Sequence, residues 1–210
     1  MSARRVLGWC CFLFVALATG ELSAQEPRLV DRVPAAVRSQ VDAVVDSARA
    51  AGLPAEALID RALEGASKGA DGQRILAAVR RLWLELSAAR DALGSGSTAA
   101  EVVAGASALR AGATGGDLTH LRAQRPRQSL TVAAAVLADL VAVGVPIDTA
   151  VIAVLALAED ADDTEYIAFR RNVERDIARG ASPVAALGVR LDAAAELLGT
   201  DRAPPSPRKP

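Results

Sequence analysis

Thiol chemistry is all but missing from this chain. Its two cysteines, Cys10 and Cys11, sit side by side near the N-terminus, and none follows them. A chain that loses that start has no disulfide, no thiol nucleophile and no cysteine metal site. His120 is the only histidine. Arg122, Arg125 and Arg127 beside it discourage a metal cation and no second Cys or His completes a site, so it reads as a solvent-exposed side chain. No metal and no cofactor is expected. A Ser-His-Asp arrangement would also have to use that one residue. Aromatic residues are scarce, at 3%; past the N-terminal segment only Trp83, Tyr166 and Phe169 remain. Lysine is confined to Lys68 and Lys209, and the formal charge is −1 at pH 7. That balance gives no long-range pull toward nucleic acid. Apolar and polar residues nowhere alternate over a sustained run, so no strand is expected.

The start of the chain has the three parts of a secretory signal peptide. Arg4 and Arg5 precede an apolar run from Val6 to Ala18, which leads into the small-residue exit around Gly20 and Ala24. The expected cleavable segment is 1–24, with processing after Ala24 or, alternatively, Gly20. The expected compartment is periplasmic or extracellular, with membrane contact only before cleavage. The apolar run is short for a retained anchor. The remaining chain of about 185 residues is long enough for one domain with its own core, which must stand without disulfides.

The most apolar stretch after the leader is Leu130 to Ala158, broken once at Gly144-Val145-Pro146. It reads as two buried helices forming a central hairpin. In the first, Leu130, Val132, Val136, Leu137, Leu140, Val141 and Val143 share one half of the circumference. The other half is small, with Asp139 as its single carboxylate. In the second, Ile147, Val151, Ile152, Val154, Leu155 and Leu157 cover well over half the circumference, which predicts burial nearly all round. Each arm is about fifteen residues, short of the roughly 20 that hydrocarbon requires.

Weaker amphipathic helices are expected on either side. Val37 to Ala48, Leu58 to Ala66 and Ile75 to Leu93 show spacings of three and four, the last most clearly. Gly94 to Ser97 is linker-like and marks a candidate sub-boundary at 94–97. Thr98 and Glu101 have capping-box spacing, as do Asp162 and Glu165. A short fifth helix surrounds Leu118 and Leu121 and ends at Pro126. The eighth buries Tyr166, Phe169, Val173 and Ile177; the ninth starts at Ser182-Pro183 and buries Val184, Leu187, Leu191, Ala194 and Leu198. Gln25 to Val33 reads as a polar lead-in, and 199–210 as a disordered proline-rich tail. The expected fold is all-α, an irregular antiparallel bundle of about nine helices in hairpins.

Five helix ends repeat one pattern: a glycine, an Ala, Val or Leu, then helix-starting chemistry. The glycines are Gly52, Gly69, Gly112, Gly144 and Gly180. Glycine takes the left-handed conformation that closes a helix, the apolar residue folds back, and Pro, Asp, Thr or Ser opens the next. The pattern resembles the helix-pair logic of tetratricopeptide and HEAT-type solenoids, without the Trp, Gly and Tyr signature or a regular interval. Degenerate helical-hairpin repeats are therefore the alternative arrangement of the same helices.

No catalytic centre stands out. Glu159, Asp160, Asp162, Asp163 and Glu165 lack the order of calcium ligands in an EF-hand. Arg171, Arg175 and Arg179 recur at every fourth residue and form a candidate docking strip for an acidic protein partner or a phosphate-bearing surface. Asp139 is a candidate buried carboxylate. The expected role is a non-enzymatic interaction or structural module of the cell envelope. A carboxylate-based cell-wall hydrolase and a carrier of an apolar ligand are the alternatives.

Overall fold

The computed structural model describes residues 26–201; the leader 1–24 and most of the tail lie outside that range. Among the described residues there are nine α-helices and no strand: α1 (Ala35–Ala50), α2 (Ala55–Ser67), α3 (Gly72–Leu93), α4 (Ala99–Ala111), α5 (Gly115–Gln124), α6 (Thr131–Ala142), α7 (Ile147–Ala156), α8 (Asp163–Ala178) and α9 (Pro183–Asp201). No described helix is long and apolar enough to cross a membrane. Gly199 to Asp201, expected as the start of the tail, belong to α9, and 202–210 lie outside the described residues.

Helix starts follow local chemistry. Thr98, Thr114 and Asp162 each accept a bond from the amide three residues on, and the acid there bonds back to the cap amide. Pro34, Pro54 and Pro146 stand one position ahead of their helices. All five corner glycines have positive φ, from +64° at Gly52 to +112° at Gly112. Each corner closes with the same two bonds. At Gly144, for example, the glycine amide donates to Val141 and the Val145 amide donates to Leu140. That pair of bonds satisfies carbonyls the helix end would leave open.

The helices pair and then stack in two layers. One layer passes from α4 to α6 to α8, and the other from α3 to α5 to α7 to α9, each helix packing on its second neighbour along the chain. Hairpins stack corner on corner. A Cβ on Gly112 would lie 3.9 Å from that of Ile147, and one on Gly144 would lie 3.4 Å from Pro183 Cγ. α3, the longest internal helix, carries α1, α2, α4 and α5. One hydrophobic cluster runs from Leu29 through Leu187.

Three expectations about burial change. The hairpin 130–158 is not uniformly central. α6 is, with Leu130, Ala133, Ala134, Val136, Leu137 and Leu140 buried, but α7 buries its alanine side through Ala150, Ala153 and Val154. Small residues permit close approach, so Ile152 is left 65% exposed at the edge. Val184 in α9 is likewise 52% exposed. The lead-in is not merely polar: a 3-10 turn over Pro27–Leu29 buries Leu29, and Val33 is buried with it.

Candidate docking groove

α2 and α4 both lean on α3 without forming an extensive interface with each other. Between them, and continuing onto α6, lies an open groove of about 620 Å³. The floor is small because alanine stands there, Ala57 on α2, Ala104 on α4, Ala135 and Ala138 on α6, with exposed Ala100 on the wall. Val103, 37% exposed, is the one large apolar side chain there. Glu56, Asp60 and Asp139 line the groove, and no cation does. Each flanking arginine is shared between two acids. Arg28 bonds Glu26 (2.9 Å) and Glu56 (2.8 Å), while Arg170 bonds Glu174 (2.7 Å) and reaches Asp139 (3.5 Å).

Asp139 thus corrects the reading as a buried carboxylate. Its side chain is 49% exposed, because the small face of α6 forms groove wall at that level instead of core. Arg171, Arg175 and Arg179 are exposed along α8. Arg175 donates to Asn172 Oδ1 (2.9 Å). His120 is exposed. Asp162 and Glu165 are engaged in their capping box at 2.6 and 2.8 Å. Among the described residues no group of His, Cys, Asp or Glu is placed to hold a metal ion.

The groove walls are held by buried polar residues that sequence reasoning missed. Glu101, at the start of α4, was legible only as half of a capping box. It is 4% exposed and accepts from the Thr98 amide (2.8 Å), the Leu130 amide (3.0 Å) and the Arg122 guanidinium (2.5 Å). Burial alone would raise its pKa. The two amides and Arg122 outweigh that and hold it down at about 2. Arg122 also donates to the carbonyls of Arg125 and Gln128, so the α5–α6 connection is tied to the start of α4.

Arg125 continues the brace. At 2% exposed it donates to the carbonyls of Ala158 and Ala161 beyond α7, and its guanidinium lies 5.3 Å from the centre of the Tyr166 ring. Tyr166 in turn donates to the Val154 carbonyl (2.7 Å), and burial pushes its phenol up to about 12. No local pattern announces these contacts, because the partners lie 12 to 41 residues away.

A second, smaller cavity of about 190 Å³ lies between the end of α7, α8 and α9, lined by Leu157, Phe169 and Ala194. Pockets for small-molecule ligands usually run from about 300 to 1,000 Å³. Comparison with known protein families, with curated proteins and with solved structures gave no match.

Proposed function

We propose that this protein is an exported, non-enzymatic helical module that docks a segment of another polypeptide across α2, α4 and α6. The observation that carries the reading is the open alanine-floored groove with Val103 at its middle and carboxylates at its rim. Stacked helical hairpins suit this role, since each adds a wall to a continuous surface. A floor of small side chains admits a backbone at close range. Export rests on the leader alone, from Arg4 and Arg5 to the small residues before Gln25.

Glu101, one of two carboxylates buried among the described residues (Asp42 is the other), is held ionised and fully bonded. A general acid needs the opposite environment, one that keeps its proton near neutral pH. The groove's own acids are open to water, Glu56 and Asp60 exposed and Asp139 half exposed, and that openness favours docking over hydrolysis.

The test is affinity capture from an envelope extract with the processed protein and with Val103→Glu. The expected result is a partner whose recovery falls more than tenfold with the variant while its circular dichroism is unchanged. A partner retained equally by both forms would move docking elsewhere, with the strip of Arg171, Arg175 and Arg179 as the next surface to probe.

A further inference from the structure

We infer that the groove's occupant is the C-terminal tail of a second copy of this chain. The inference rests on the docking reading above and names the segment. Residues 202–210 lie outside the described structure and carry Arg202, Arg208 and Lys209 with no acid. Between the cations lie only Ala203, Pro204, Pro205, Ser206 and Pro207. This is the complement of the groove: small side chains for an alanine floor, cations for a rim on which Glu56, Asp60 and Asp139 outnumber the arginines they share.

Pro204, Pro205 and Pro207 restrict the unbound chain, so this segment loses less backbone entropy on docking than an unconstrained one of the same length.

The donor is a second copy for reasons of position. α9 belongs to the layer of α3, α5 and α7, whereas the groove opens on α2, α4 and α6. Its later residues, Ala193 and Ala194, lie beside Leu157 and Ala161 beyond α7. α8 stands between α9 and α6. A tail reaching into a neighbour's groove makes a head-to-tail contact.

The experiment is sedimentation equilibrium of the processed chain across a concentration series at low salt. Three variants accompany it: a tail-reversed chain (R202E, R208E, K209E), Val103→Glu, and Ala100→Arg, which adds a cation on an exposed groove wall. The wild type should self-associate, at least tenfold more weakly at physiological ionic strength. Each variant alone should associate at least tenfold more weakly. Mixing the tail-reversed chain with Val103→Glu should restore association as a 1:1 pair, since one supplies the groove and the other the tail.

A wild type that stays monomeric, association unaffected by the tail reversal, or a mixture that remains monomeric would overturn the inference. In any of those cases, a captured partner still lost on Val103→Glu leaves the docking reading standing without it. Ala100→Arg keeps the test decisive if Val103→Glu disturbs folding.

Discussion

Glu101 shows how one side chain can fix the relation between helices. Its two oxygens serve the cap of α4, the first amide of the α6 segment and Arg122 of α5. Its folded pKa, about 2, is lower than the ordinary 4.5. Its contribution is therefore complete above about pH 5 and is lost as pH falls toward 2. On the scale of 1.36 kcal/mol per unit that is about 3 kcal/mol. Glu101→Gln should lower stability at neutral pH by about 2–4 kcal/mol, because Arg122 loses its counter-charge, and should flatten the acid limb. Urea unfolding at pH 7 and pH 3 checks both. Asp139 is the contrasting acid: half exposed and 3.5 Å from Arg170. Asp139→Ala should change the unfolding free energy by less than about 0.5 kcal/mol.

At the scale of the element, the corners and the buried faces of α1, α2, α3 and α8 were legible, and the buried face of α7 was not. A glycine closure depends on neighbours in sequence, so Gly52, Gly69, Gly112, Gly144 and Gly180 could be read with their bonding pattern. The capping boxes at Thr98 and Asp162 were equally local. Which face of α7 turns inward depends on neighbours far along the chain, and there periodicity failed. Its alanines went in and Ile152 stayed out. Arg122 and Arg125 were hidden for the same reason. Their spacing beside His120 suggested only local charge, while their partners belong to α4 and the chain beyond α7.

The groove was invisible in sequence too, since α2, α4 and α6 had first to be brought together. Two glycines make the local rule testable. Gly144 has φ +95° and abuts Pro183, so Gly144→Ala should cost about 1–2 kcal/mol. Gly188 lies within α9 with nothing within 4 Å of an added Cβ, so Gly188→Ala should stabilise by up to about 1 kcal/mol. Thermal melts of the two variants should therefore move in opposite directions.

On the scale of the whole molecule, the hairpins are joined by two different devices. Glycine corners meet at Gly112–Ile147 and Gly144–Pro183, while Glu101, Arg122 and Arg125 lace the connections between hairpins. The groove depends on both, because it is walled by helices from three successive pairs. Residues 26–201 contain no cysteine, so an introduced pair reports on stacking without interference. Gly112→Cys with Ile147→Cys would place its Cβ atoms about 3.9 Å apart, within disulfide range, and the roughly 1–3 kcal/mol of placing a side chain at φ +112° is offset by closing a loop of that length, about 4 kcal/mol. Mild oxidation of the double variant, produced from Gln25 onward, at low concentration, followed by mass spectrometry of its peptides, is the most direct measurement of hairpin stacking. The account predicts a near-complete bridge within one chain and an unchanged helical spectrum. Thiols that stay free, or that pair only between chains, would contradict it.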